Sequence, residues 1–278
     1  MRILPATLFA MTAFADARIL VHGHRGARAV LPENTLPAFE YAIAAGVDAL
    51  ELDLAVTRDN VLVVSHDPEM NPNYCTPPEG WTGTRTIRQM TFDELRRWDC
   101  GAKANPEFPK QKPVPGTRVP SLDEVFALAP RGTFGFNVET KISPARPEFT
   151  PSPEEFARLL LDAIRRHKLE KRVIVQSFDF RTLEAMRKMA PEIALSALHA
   201  PMGGGYVAAA KAAGAHWWSP HYSIVTPALV EEAHKAGMKV VPWTANDAGV
   251  WKKLADARVD AIITDDPQAL IAWLKQAR

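Results

Sequence analysis

The sequence predicts an α/β fold, a (β/α)8 TIM barrel with a small Pro-rich insertion over the barrel mouth. From residue 18 onward, short β-branched runs alternate with segments of helical periodicity. The runs number eight, which in a chain of 278 residues suits one barrel domain. No glycine-rich dinucleotide fingerprint follows the first run, which argues against an open doubly wound sheet.

In chain order, Arg2 and the apolar stretch Ile3–Ala15, followed by small residues, read as a secretory signal peptide over residues 1–17. The mature domain is then residues 18–278, in the periplasm or secreted. The stretch is too short to span a bilayer, and no later segment offers a membrane span. The first strand runs Ile19–His22, followed by a helix from Thr35 to Ala45 with Leu36, Phe39 and Ile43 on one face and Gly46 as its stop. Further strands are expected at Ala49–Leu54, Phe136–Glu139, Val173–Gln176, Ile193–Leu198, His216–Ser219, Lys239–Trp243 and Ala261–Thr264. Helix starts are legible at Ser121 with Glu124, at Ser152-Pro153 and at Thr226-Pro227, the last closing at Gly237.

A ninth run, Val61–His66, follows the strand before it after only Thr57-Arg58-Asp59-Asn60. A parallel crossover needs a dozen or more residues, so this pair is expected to be an antiparallel hairpin at the barrel mouth. Residues 67–120 hold nine of the 23 prolines and one clear helix, Phe92–Trp98, and form the insertion. They also hold both cysteines, Cys75 and Cys100, which read either as one bridge, which export would preserve, or as two inert thiols.

Formal net charge is +1, and no stripe of Lys or Arg exists to bind nucleic acid, so the expected partner is a small substrate. Two histidines bracket a carboxylate pair: His24-Arg25-Gly26, Glu51-Leu52-Asp53, His66-Asp67. Together they supply an acid, a base, a cation and a metal seat, which is most of what phosphodiester cleavage requires. Glu51 and Asp53 lie two apart on one strand and share a face, as do Glu139 and Lys141. His24, Arg25, Glu51, Asp53, Glu139 and Lys141 all fall at C-terminal strand ends, where barrels of this kind keep their catalytic groups. Three carboxylates with no soft ligand suit one divalent cation, Ca2+ or Mg2+, rather than zinc. The bland alternative is that Glu51 and Asp53 only form ion pairs with Arg25 or Lys141.

The ordered motifs His24-Arg25-Gly26-Ala27, Pro32-Glu33-Asn34-Thr35, Glu51-Leu52-Asp53-Leu54, Val64-Ser65-His66-Asp67, Val119-Pro120-Ser121, Asn137-Val138-Glu139-Thr140-Lys141, Gln176-Ser177-Phe178, Trp243-Thr244-Ala245-Asn246 and Ile263-Thr264-Asp265 resemble the glycerophosphodiester phosphodiesterase family. The resemblance implies a divalent metal on Glu51, Asp53 and Glu139, acid-base work by His24 and His66, and phosphate binding by Arg25 and Lys141. It implies hydrolysis of a glycerophosphodiester to an alcohol and sn-glycerol 3-phosphate, with water or the glycerol 2-hydroxyl attacking phosphorus. His66 is expected as the acid and His24 as the base. The alternatives are a lysophospholipase D or phospholipase C-like enzyme, which a deep apolar groove in the insertion would favour, and a non-catalytic secreted binding protein.

Other residues carry two readings each. His22, two before His24 on the same strand face, either substitutes for its neighbour or orients it. Trp243 is barrel packing or a substrate wall, and Asp67 is a turn residue or an orienting partner. Glu33-Asn34-Thr35 cap a helix, with Glu33 also holding the site in shape. His167, His199, His216, His221 and His234 are given no role.

Overall fold

The computed structural model describes residues 18–276, so the signal-peptide expectation lies outside the described residues. Strands covered by helices on one side and by one another's side chains on the other must be apolar on both faces. The strand that carries Glu51 and Asp53 is accordingly buried along all eight of its residues.

The elements run β1 (Leu20–Gly23), α1 (Leu36–Ala45), β2 (Ala49–Val56), β3 (Leu62–Val64), α2 (Phe92–Leu95), α3 (Leu122–Phe126), β4 (Gly135–Thr140), α4 (Pro153–Arg166), β5 (Val173–Ser177), α5 (Phe180–Met189), β6 (Ala194–His199), α6 (Tyr206–Ala212), β7 (Trp217–Pro220), α7 (Pro227–Lys235), β8 (Lys239–Val240), α8 (Ala248–Asp256), β9 (Ala261–Thr264) and α9 (Pro267–Gln276). The ladder order is β8-β7-β6-β5-β4-β2-β1-β9, with parallel pairing throughout. Backbone bonds carry the seam between its two ends: Asp260 N–H donates to Val240 O at 3.0 Å and Ile263 N–H to Pro242 O at 2.9 Å. The result is the expected TIM barrel. β8 is shorter than the expected Lys239–Trp243 because Pro242 has no N–H to give the ladder, although Val241 and Trp243 still donate to β7.

β3 pairs antiparallel with the end of β2, Leu54 opposite Val64, and stands off the barrel path as expected. The insertion packs a core of its own on this hairpin, with Met70, Ile87, Met90, Leu95 and Trp98 around a Cys75–Cys100 disulfide. Its helix, α2, ends at Leu95 rather than at the expected Trp98, since the chain turns through residues 96–98 to bury the indole in that core. Both ends of the insertion return to one place. Val64 N–H donates to Pro120 O at 2.9 Å, and Val63 bridges Ser121.

The expected starts of α3, α4 and α7 are made by Ser121, Ser152 and Thr226 side chains, each accepting from a backbone N–H. At α1 the expectation fails in part. Thr35 occupies the N-cap position, but its hydroxyl donates to Pro32 O and caps nothing, while Asn34 and Glu33 face the barrel mouth. Gly46, at φ 90°, ends the helix as read. No helix among the described residues is long and apolar enough to cross a membrane.

Candidate active site

The barrel mouth is assembled from strand ends. β1 stops at Gly23, and His24-Arg25-Gly26 turns sharply toward α1. Gly26 has φ 85°, and a Cβ there would lie 2.7 Å from the Ala38 carbonyl carbon, so only glycine permits this approach of loop to helix. The turn aims the Arg25 backbone N–H at Glu51 Oε2, 2.9 Å away.

β2 and β4 run in register with Asp53 opposite Glu139, which brings Glu51, Asp53 and Glu139 together. Their carboxylate oxygens lie within 4.8 Å of one another, and all three residues are buried. Lys141 Nζ lies 2.8 Å from Glu139 Oε1 and 3.3 Å from Asp53 Oδ1, and Arg25 Nε lies 3.3 Å from Asp53 Oδ2. Asn34 Nδ2 donates to Asp53 at 2.9 Å, and Gln176 Nε2 donates to Glu51 Oε1 at 2.7 Å. Arg25 also reaches Glu33 at 2.6 Å, so Glu33 does hold the site in shape.

These contacts divide the three acids. Burial works against the Asp53 charge, but Lys141, Arg25 and His66 outweigh it and hold the carboxyl well below its usual range. Burial and the neighbouring Asp53 push Glu51 up, against the pull of the Arg25 N–H. Burial raises Glu139 too, Lys141 notwithstanding. The ion pairs of the bland alternative are therefore present, yet they do not balance. Counted formally, five buried acidic groups, Glu33, Glu51, Asp53, Glu139 and Asp265, stand against the three cations Arg25, Arg28 and Lys141, an excess of two acidic groups. An all-oxygen cluster with that surplus fits a single hard dication.

His24 Nδ1 donates to Asp265 Oδ1 at 2.5 Å, and its Nε2 lies 4.0 Å from Glu51 Oε2. Burial lowers the His24 pKa, opposed by Asp265. Asn246 Nδ2 steadies the other oxygen of Asp265 at 2.6 Å. His66, just past β3, donates from Nδ1 to Asp67 Oδ1 at 2.9 Å; Asn71 and Tyr74 donate to Asp67 Oδ2, each at 3.0 Å. The hydrogen bond from His66, then those from Asn71 and Tyr74, hold the Asp67 carboxyl far below its usual range against partial burial. Asp67 is thus an orienting partner.

His24, Arg25, Glu51, Asp53, His66, Glu139, Lys141 and Trp243 all line one cleft of about 230 Å3, walled on its apolar side by Phe178, Leu198, Trp243 and Ile263. The Trp243 indole N–H donates to Ser219 O at 3.0 Å, which sets its ring against Phe178 as part of that wall, so the substrate-wall reading fits better than plain packing. His22 is not among the lining residues. It is sealed inside the barrel beside Asn137 and Trp217, so the reading in which it substitutes for His24 fails on position. His167 and His234 pair with surface acids. The cavity between the insertion and His66 measures about 30 Å3, room for a water rather than an acyl chain.

Sequence reasoning missed Arg28, Asp265, Gln176 and Phe178 as site residues. Asp265 and Gln176 had a usable signal, each being a polar residue at the C-terminal end of a barrel strand. Arg28 had none. It comes from an irregular loop and stacks on Phe108 of the insertion with its guanidinium carbon 4.4 Å from the ring centre.

The model of the glycerophosphoryl diester phosphodiesterase family matches residues 24–269. A glycerophosphodiester phosphodiesterase of Caldanaerobacter subterraneus subsp. tengcongensis is 35% identical over 262 residues, covering 93% of this chain and 99% of that protein. A Silicibacter pomeroyi crystal structure bearing a provisional form of the family name superposes with a TM-score of 0.87 at 34% identity, covering 94% of each chain. An Oleispira antarctica phosphodiesterase, solved with the product sn-glycerol-3-phosphate, shares the fold at a TM-score of 0.77 and 23% identity, over 92% of this chain and 96% of that one.

Proposed function

The chain belongs to the glycerophosphoryl diester phosphodiesterase family and is a glycerophosphodiester phosphodiesterase; from that premise we propose that it uses one divalent cation, Ca2+ or Mg2+, seated by Glu51, Asp53 and Glu139, and two histidines to release sn-glycerol 3-phosphate and an alcohol. The observation that carries the metal reading is the convergence of those three buried acidic groups, with oxygens within 4.8 Å of one another, in a site where acidic groups formally outnumber cations by two. When bound, the ion supplies Lewis-acid polarisation of a phosphate oxygen and cancels that surplus.

The chain's own residues supply the rest. Arg25 and Lys141, already drawn to Asp53, offer donors to the non-bridging oxygens of the diester. His24 keeps its Nδ1 proton and donates it in a hydrogen bond to Asp265, so its Nε2 lone pair faces the cleft and takes the proton of the nucleophile, water or the glycerol 2-hydroxyl. His66 enters from the hairpin side with a charged Asp67 behind it and protonates the departing alcohol. Side-chain proton transfer contributes only about 10²–10⁴-fold, so most of the acceleration falls to the cationic groups. Trp243 and Phe178 give the carbon skeleton of the substrate an apolar wall. We also propose export through residues 1–17, a reading supported by the disulfide, a bond that persists in oxidising compartments.

The test is a coupled assay for glycerol 3-phosphate released from glycerophosphoethanolamine, before chelation, after it, and after Ca2+ or Mg2+ is restored. Release that stops on chelation and returns with the ion is expected. Undiminished turnover of metal-free protein would remove the cation from the mechanism, and no release under any condition would refute the activity.

A further inference from the structure

Glu51 differs from its two neighbours. Asp53 and Glu139 each lie within ion-pair range of Lys141, and Asp53 of Arg25 as well, whereas no Lys or Arg side chain among the described residues reaches Glu51. Its two oxygens accept from neutral N–H groups: the Arg25 backbone on Oε2 and Gln176 on Oε1. Gln176 is itself held. Asn137, opposite Glu51 across β2 and β4, donates from Nδ2 to Gln176 Oε1 at 3.0 Å, and the same amide nitrogen lies 3.4 Å from His22 Nδ1.

The directions along this chain are forced from its upper end. Gln176 turns its NH2 to Glu51 Oε1 and its carbonyl to Asn137, and an amide oxygen can only accept. Asn137 must answer with N–H, and its second N–H goes to His22, which has to accept on Nδ1 and carry its proton on Nε2. A barrel interior that only needed filling would hold apolar side chains, since buried polar groups are costly unless paired. Here polar groups from β1, β4 and β5 are joined in one line that ends on a carboxylate.

We propose that His22, Asn137 and Gln176 are positioning residues, a hydrogen-bonded relay that fixes the orientation of the Glu51 carboxyl group toward the cation seat. The inference rests on the metal reading above. It assigns His22 a function that depends on its acceptor nitrogen and not on its bulk.

The test is titration calorimetry of Ca2+ and Mg2+ into the chelator-stripped full-length mature protein and its variants, each first shown to be folded by its melting transition. Partners of metal ligands are generally worth 10–100-fold in affinity, so Gln176→Leu and Asn137→Leu should each weaken cation binding by about that factor. Because the two are consecutive links, the double variant should be about as weak as Gln176→Leu alone. His22→Phe keeps the ring but loses the acceptor and should weaken binding, whereas His22→Gln keeps a carbonyl for Asn137 and should bind close to wild type. A packing role predicts the opposite order for these two. In the metal-free wild type, 15N spectra should place the His22 proton on Nε2. Full additivity of the double variant, tighter binding by His22→Phe than by His22→Gln, or a proton on Nδ1 would each overturn the relay. A wild type that binds no cation would instead overturn the metal reading, and the relay's purpose with it.

Discussion

Asp265 holds His24 by its Nδ1, and each of the two is the first residue beyond a strand end, β9 and β1, that closure of the barrel lays side by side with Thr264 opposite Gly23. The pair is separated by 241 residues in sequence and depends on the first and last strands of the chain having paired. It engages Nδ1 and leaves Nε2 as the ring nitrogen open to the cleft, the one that the proposed mechanism uses as a base.

Asp265→Asn should therefore fold normally yet lose activity, because an amide can present N–H to Nδ1 and favour the wrong tautomer. The expected loss in kcat is on the order of 10²–10⁴-fold, the range for a general base put out of action. Steady-state kinetics with a parallel melting curve checks it, and an unchanged kcat would deny Asp265 this role.

The two histidines should separate on leaving-group chemistry. An alkoxide needs a proton to depart, whereas p-nitrophenolate does not. His66→Ala should cripple hydrolysis of glycerophosphoethanolamine far more than release of p-nitrophenol from a comparable ester, while His24→Ala should harm both alike. Equal losses for His66→Ala on both substrates would remove it as the acid.

Glu139→Gln takes one charge from the surplus and one ligand from the seat. Its melting temperature without metal should match or exceed that of the wild type, since the burial of its charge and then its repulsion with Asp53 together outweigh its pairing with Lys141. The rise in melting temperature that Ca2+ or Mg2+ gives the wild type should vanish, with activity reduced about a hundredfold or more, as expected when a ligand of the metal is lost. A variant stabilised by the ion as strongly as the wild type would contradict this.

His22 gives the fold an acid-sensitive element. Burial lowers its pKa from 6.5 to about 4, with Asp48 opposing weakly. The unfolded chain therefore takes up a proton that the folded one refuses between those values. Stability associated with neutral His22 is fully present above pH 6.5 and is lost as pH falls from there to about 4. The size is ~3 kcal/mol, because each tenfold change in proton affinity is worth about 1.4 kcal/mol. Denaturant unfolding of metal-free protein at several pH values should show a shallower acid decline for His22→Gln than for the wild type. Parallel declines would contradict it.

The Cys75–Cys100 bridge closes a loop with a sequence separation of 25, and chain-entropy estimates for such a loop give roughly 3 kcal/mol. Reduction should loosen the small core that seats Tyr74, which donates to Asp67 behind His66. Cys75→Ala with Cys100→Ala is expected to lower stability and activity together, and intact mass of the untreated protein should lie two hydrogens below the dithiol. Two free thiols in the folded protein would refute the bridge.

The barrel was legible because β-branched runs recur at intervals that leave room for helices, and the hairpin because four residues cannot make a parallel crossover. Six of the eight candidate residues, His24, Arg25, Glu51, Asp53, Glu139 and Lys141, were legible because chemistry in such a barrel sits toward the C-terminal ends of strands, which a sequence marks by polar residues closing apolar runs. Arg28 escaped notice because its place is set by the insertion folding back onto the loop after β1, with Gln111 Nε2 donating to the carbonyls of Arg28 and Leu31. Thr35 misled because a good capping residue stood three positions after Pro32, whose carbonyl claimed its hydroxyl. His22 looked like a spare catalytic group because strand periodicity tells which way a side chain faces and not how deep in the barrel it lies.

The meeting of Pro120 with Val64 makes residues 67–120 an exchangeable cassette. Its two ends are already joined at the barrel rim, so a substitute of different length needs no rethreading of strands, and doubling a loop costs only about 0.6 kcal/mol in closure entropy. What a replacement must bring is an acid for His66 and a surface for Arg28. The cleft that holds the carboxylates is lined from the barrel and from His66 and by no side chain of 67–120, so the segment can be exchanged as a unit while the carboxylates beneath stay where they are.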